Sequence, residues 1–190
     1  MHNRHPTETA TNSGTSLGFT LIEMVVTLVI IGVIGAVTIS RFAGSDSFTA
    51  YILRDQIISL SRNAQQSSLG RPDVTLLVRP SLDGETVKIT TATSGSPILS
   101  ISLDIDAVTI SGDVNETESC ATEPASPSLT TITNAAPFTL NYGELGDLEP
   151  SGFGAGTAVT SGVRICLNRR AEDSVCISPS GFAYAGDCDV

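Results

Sequence analysis

The sequence contains no tryptophan, and only 5% of its 190 residues are aromatic. Its two histidines, His2 and His5, both lie at the extreme N-terminus. The rest of the chain therefore lacks the commonest general base and cannot form a Ser-His or Cys-His nucleophile. It also has no phosphate-binding loop and no dinucleotide fingerprint. We predict a protein that is not an enzyme and that needs no cofactor.

Basic residues are scarce, with 10 Lys and Arg against 20 Asp and Glu, for a net charge of −10. Binding to a phosphate backbone requires a basic stripe that releases counterions. The only adjacent basic pair is Arg169 and Arg170, and Arg164 lies nearby in sequence. These three are the only candidate contacts for DNA, and the overall charge argues against nucleic-acid binding.

Carboxylates form two groups that are candidates for chemistry: Asp104, Asp106 and Asp113, and Glu144, Asp147 and Glu149. Their spacing does not distinguish a site from a solvated face. Hard cations prefer such oxygen ligands, so calcium binding is an alternative. We predict no metal site, because the histidines are terminal and no Cys-x-x-Cys occurs.

An apolar run extends from Phe19 to Ile39, and Glu23 is its only charged residue. As a helix rising about 1.5 Å per residue, this run would span roughly 30 Å, the thickness of a hydrocarbon core. A cleaved secretory signal would have a shorter apolar region, a basic flank and a small-x-small site after the run. We therefore predict a retained membrane helix over residues 19–41.

Gly18 precedes the sequence Phe-Thr-Leu-Ile-Glu, which runs from Phe19 to Glu23 and leads into the apolar run. This pattern resembles the class III signal of type IV pilins and type II secretion pseudopilins. The resemblance implies that a prepilin peptidase cuts between Gly18 and Phe19, removes a leader of residues 1–18 and methylates Phe19. It also implies a protein of the bacterial inner membrane, with its C-terminal part in the periplasm, later transferred to a pilus at the cell surface. Its implied partners are other pilin subunits, the peptidase and the assembly machinery.

A carboxylate within a membrane costs roughly 2.5 to 3.5 kcal/mol, so Glu23 should have a partner or a purpose. Cleavage would create an amine at Phe19, four residues earlier and near the same helix face. Glu23 could neutralise the amine of its own chain or that of a neighbouring subunit, and the resemblance favours the neighbour. We predict that Glu23 is an assembly residue; the alternative is a carboxylate that merely snorkels to the membrane surface.

The spacing of apolar residues predicts that residues 42–70 are an amphipathic continuation of this helix. Small and apolar residues recur there every three or four positions, at Ala50, Leu53, Ile57, Leu60 and Ala64. Gly70 and then Pro72 give a stop signal. The expected helix runs from Phe19 to about Leu69, and the segment from Gly44 to Ser47 could interrupt it.

Residues 71–190 predict a β-rich globular domain in the periplasm. Strand-like stretches begin at Val74, Glu85, Ser96, Ala107, Pro137, Gly162 and Ser174. Asp83-Gly84 is a hairpin signal, and residues 116–137 read as a long loop. The expected fold is α+β and pilin-like, with a long N-terminal helix packed on an antiparallel sheet.

Four cysteines follow the apolar run, an even number that predicts disulfides in an exported domain. Cys166 and Cys176 fall on the polar faces of their predicted strands. A hairpin centred near Ala171 would place these two opposite each other. The preferred pairing is therefore Cys166–Cys176 with Cys120–Cys188, and the two other pairings stay open.

The order of a long helix, a β domain and a closing "VCISPSG" strand resembles minor pilins of the MSHA (mannose-sensitive haemagglutinin) type and the related GspH/FimT group. The segment "RFAGSDSFTAYILRDQIISLSRNAQQ" also resembles the helix of MSHA-type minor pilins. The resemblance implies a low-abundance structural subunit that acts in pilus initiation and surface attachment. The alternatives are a minor pseudopilin of a type II secretion system and a DNA-uptake minor pilin.

Overall fold

Two helices and ten short strands make up the part of the chain that the structure describes. This computed structural model describes residues 20–42, 45–105, 108–115, 119–121 and 129–188. The chain divides into two units, Met1–Ala43 and Gly44–Val190. The first contains helix α1 (Leu21–Phe42), and the second begins with helix α2 (Ser45–Ser68). The expected long helix is thus present as two helices, and residues 43 and 44 lie outside the described residues.

The strands of the second unit form two antiparallel sheets. In chain order they are β1 (Val74–Pro80), β2 (Thr86–Thr93), β3 (Ser96–Asp104), β4 (Ile110–Val114), β5 (Thr130–Thr131), β6 (Phe138–Tyr142), β7 (Gly152–Phe153), β8 (Val163–Leu167), β9 (Arg170–Ile177) and β10 (Ala183–Ala185). The first sheet has the order β3-β2-β1-β6-β7, and the second has the order β10-β9-β8-β4-β5. All of the strand pairs are antiparallel.

Helix α2 packs against both sheets, contacting β1, β2 and β6 of the first and β9 and β10 of the second. The predicted stripe is confirmed, because its five residues are each at most 3% exposed: Ala50, Leu53, Ile57, Leu60 and Ala64. The helix stops before Gly70, whose φ of +70° is one that glycine adopts at no steric cost. The N–H of Gly70 then donates to the carbonyl of Glu144. The result is the predicted α+β, pilin-like fold.

The first sheet follows the alternation in the sequence. In β1, Val74, Leu76 and Val78 are fully buried, and the intervening residues are less so. The predicted Asp83-Gly84 turn lies in the β1–β2 connection, where Gly84 has a φ of +77°. The predicted loop over residues 116–137 is wrong in one respect, because β5 lies within it and pairs with β4. Residues 116–118 and 122–128 of that loop lie outside the described residues.

The two sheets approach each other closely at Gly112 of β4. A Cβ atom placed there would lie 2.8 Å from the ring of Phe138, which belongs to β6 of the other sheet. Phe138 also packs edge-to-face on Phe153, with ring centroids 5.0 Å apart. Glycine at this strand position therefore admits an aromatic side chain between the sheets.

Candidate processing and assembly site

Helix α1 begins with a cap formed by Thr20. The Thr20 hydroxyl accepts a hydrogen bond from the N–H of Glu23 at 3.3 Å, and its carbonyl accepts from the N–H groups of Glu23 and Met24. The sequence Thr-Leu-Ile-Glu has the order of a capping box. A carboxylate in the first turn also interacts favourably with the helix dipole. We did not predict this cap, although the four-residue pattern could have revealed it.

The two residues of the predicted cleavage site, Gly18 and Phe19, lie outside the described residues. Cleavage, methylation and the position of the new amine thus stay predictions. The structure does place Glu23, an exposed residue in the first turn of α1. This position is close in sequence to the chain end that cleavage would create.

The described surface of α1 is apolar and exposed on all sides. From residue 21 to residue 34, its large apolar side chains range from 47% exposed at Val25 to 83% at Leu21. A helix that is apolar all round is normally covered by lipid or by other protein. Among the described residues, no helix combines the length and the apolarity required of a membrane span.

The disulfides differ from the preferred pairing. The structure joins Cys120 to Cys166 and Cys176 to Cys188, with Cα atoms 5.7 and 5.1 Å apart, respectively. The expected link between the C-terminal tail and the long loop is made by a hydrogen bond instead. The N–H of Cys120 donates to Asp187 Oδ1 at 3.1 Å.

The register of the β8–β9 hairpin explains this correction. The turn lies at Asn168 and Arg169, which both have a positive φ, and not at Ala171. Cys176 is therefore opposite Arg164 rather than Cys166, and the ladder is irregular between Ile165 and Leu167. Cys166 is opposite Ser111 of β4, on the side of the sheet where Cys120 approaches.

The second face of β8, which the alternation of residues predicted to be polar, is buried. Arg164 is 1% exposed, and its Nε donates to Asp113 Oδ1 at 3.0 Å, with a second bond from Nη2 to Oδ2. The Nη1 atom of Arg164 and the Oδ2 atom of Asp173 are buried without a hydrogen-bond partner among the described residues. This face is thus covered by disulfides and an ion pair, and Arg164 is unavailable to DNA.

The basic candidates do not converge, whereas Asp147 and Glu149 of the second carboxylate group both lie beside Gly143. Arg169 and Arg170 are exposed, on the far end of the hairpin from the buried Arg164 guanidinium. Asp113 is occupied by Arg164, and Asp106 lies outside the described residues. Within the ranges that the structure describes, no group of three or more His, Cys, Asp or Glu side chains could hold a metal ion.

A family model matches the N-terminal part of the chain. It is described as the prokaryotic N-terminal methylation motif and matches residues 15–39, which include Gly18, Phe19 and Glu23. No curated protein and no solved structure matches the chain. The motif supports the type IV pilin and pseudopilin family without distinguishing its subtypes. It implies processing by a prepilin peptidase and interaction with other pilins, and it points to a structural protein.

Proposed function

We propose that the chain is a structural subunit of a pilin-type filament. A prepilin peptidase cuts the precursor between Gly18 and Phe19 and methylates Phe19, and the mature subunit assembles through α1. The observation that carries this proposal is the methylation motif over residues 15–39, which leads into a helix whose described apolar side chains are exposed. Such a surface is stable in lipid or in the core of an assembly.

The same proposal assigns a role to each part of the chain. Residues 1–18 are the cleaved leader, and residues 19–41 hold the subunit in the inner membrane before they enter the filament core. Residues 42–70 are the amphipathic helix, and residues 71–190 form the periplasmic domain. The sequence from Phe19 to Ile39 supports the membrane segment, because Glu23 is the only charged residue within it.

Glu23 is the residue that sets the stagger between subunits in this proposal. The carboxylate meets the methylated amine of a neighbouring Phe19, a pairing that is strong where water is excluded. The position of Glu23 supports this assignment, because the cap at Thr20 starts α1 so that Glu23 lies in the first turn, close in sequence to the proposed mature N-terminus.

The finer proposal is a minor pilin of an MSHA-like pilus, with a role in pilus initiation and surface attachment. The resemblance of the segment from Arg41 to Gln66 supports it. A minor pseudopilin of a type II secretion system carries the same motif, and co-purification with pilus or secretion components would distinguish the two. The burial of the Arg164 guanidinium against Asp113 argues against a DNA-uptake pilin.

Three variants in the native host separate charge from capping at the start of α1. Glu23→Val removes the charge and the carboxylate, whereas Glu23→Gln removes the charge and keeps a side chain suited to a capping box. Thr20→Val removes the cap hydroxyl and keeps the charge. We expect all three to be inserted and cleaved, and only the two Glu23 variants to be poorly incorporated into filaments. Normal incorporation of Glu23→Gln would contradict the assembly role of the charge.

A further inference from the structure

Of the four sheet edges in the described part of the chain, only one is long. The edge strand β3 has nine residues, whereas the other edge strands, β5, β7 and β10, have two, two and three. A long free edge presents unpaired backbone groups to any extended chain that meets it. Natural edges are usually protected by proline, inward charges or bulges. In β3 these devices lie near the ends, with Pro97 and an opposing irregularity at one end and Asp104 at the other.

The register identifies the backbone groups that face outward. The N–H of Ile105 donates to the carbonyl of Glu85, which makes these two residues a hydrogen-bonded pair. Pairs of this kind alternate along an antiparallel ladder. The N–H and C=O groups of Ser100, Ser102 and Asp104 therefore point away from β2, where no described strand pairs with them.

The side chains between these residues form an apolar surface that is only partly covered. Ile101 and Leu103 are directly opposite the fully buried Ile89 and Val87, so they lie on the core face of the sheet. Both are only partly buried at the margin of the core. One more strand with apolar residues at alternate positions would cover them.

We infer that this missing strand is β3 of a second copy of the chain. The two strands would run antiparallel with Ser102 opposite Ser102 of the other copy. All three outward-facing residues then pair, because Ser100 is opposite Asp104 on both sides of the two-fold axis. Each of these pairs exchanges two N–H···O bonds.

The side chains are self-complementary in this register. Ile101 lies opposite Leu103 of the other copy on the core face, so that apolar residues meet apolar residues. Each Asp104 lies opposite a serine. No two like charges are therefore directly opposed, and the repulsion that would destabilise the strand pair is avoided. The result is a continuous ten-stranded sheet, formed from two five-stranded sheets. This pairing does not depend on processing at Gly18.

A cysteine placed at the two-fold axis tests the register. The Cα atoms of the two Ser102 residues would lie about 5.5 Å apart, within disulfide range. Those of the two Ser100 residues would be about 14 Å apart, four residue steps along the strand. We expect the full-length Ser102→Cys protein in detergent, under mild oxidation, to cross-link at least about tenfold more than the matched Ser100→Cys control. Peptide mapping should locate the bond between the two cysteines introduced at position 102.

Association through α1 would raise the cross-linking of both cysteine variants alike, so their ratio reports on β3. Adding Ser100→Pro to Ser102→Cys removes an outward N–H from each copy and should reduce cross-linking by about tenfold. Ser100→Ala is the matched control, because it also loses the Ser100–Thr90 side-chain hydrogen bond but keeps the N–H. It should cross-link like Ser102→Cys alone. Equal cross-linking at positions 100 and 102, or none at 102, would overturn the inference.

Discussion

Replacing Asp113 by alanine should destabilise the second unit by about 3–5 kcal/mol. The variant would leave the Arg164 guanidinium charged in the interior without its carboxylate. Both side chains of the pair are 1% exposed, and Nη1 of Arg164 already lacks a hydrogen-bond partner among the described residues. For a unit of about 150 residues, each kcal/mol shifts the melting temperature by roughly 2–4 °C. The expected decrease is therefore about 6–20 °C.

Two controls make this measurement specific. Asp55→Ala breaks an ion pair with Arg54, but the Asp55 side chain is 52% exposed, so the cost should be at most about 1 kcal/mol. The double variant Asp113→Leu with Arg164→Met replaces the buried pair by apolar side chains and should recover most of the lost stability. The assay is thermal or chemical unfolding of the oxidised full-length protein in detergent. A loss below about 1 kcal/mol for Asp113→Ala would show that the pair is not a buried one and would refute the reasoning.

Three further predictions concern the second unit. Tyr142→Phe leaves the Ser61 hydroxyl buried without its 2.6 Å partner, so unfolding should become easier by about 1–3 kcal/mol, and adding Ser61→Ala should restore part of the loss. Hydrogen bonds from the Ser81 hydroxyl and the Glu85 N–H lower the pKa of the Asp83 carboxyl below its usual value. The turn therefore gains stability above the ordinary pKa of aspartate and loses it as the pH falls through the lowered pKa, and an NMR titration should show Ser81→Ala raising that pKa. Peptide mapping without reduction should recover two linked pairs, Cys120–Cys166 and Cys176–Cys188, and recovery of Cys166–Cys176 would contradict the register of the β8–β9 hairpin.

The helix α2 and the first sheet were predictable because each buries one face. A helix with one buried stripe repeats its apolar residues every three or four positions, as Ala50 to Ala64 do. Strand β1 likewise alternates between fully buried and less buried residues. In both elements the local sequence period carries the information.

The second sheet was predicted less well because its central strand β8 is buried on both faces. The alternation of apolar and polar residues was interpreted as one apolar and one polar face, but it did not reveal that Arg164 and Cys166 are covered by groups that are distant in the chain. Asn168 and Arg169 form the turn without a glycine, so the usual hairpin signal was missing. The periodicity within one strand does not reveal which remote segment covers it.

Glu23 is compatible with two roles, one in assembly and one at the start of helix α1. Its presence in an apolar run predicts a role in assembly, and the structure adds a helix cap formed with Thr20. The helix dipole makes a carboxylate favourable in the first turn of an isolated helix, but this effect does not require the apolar surface that follows. The cap and the proposed assembly role are therefore compatible, and the glutamine variant separates them.

The mass of the mature N-terminal peptide tests the central proposal most directly. Protein purified from the native host should begin at Phe19 with a methylated amine, because the methylation motif covers residues 15–39 and the predicted cut follows Gly18. A chain that still begins at residue 1, or one that begins after Ala36, would contradict the account.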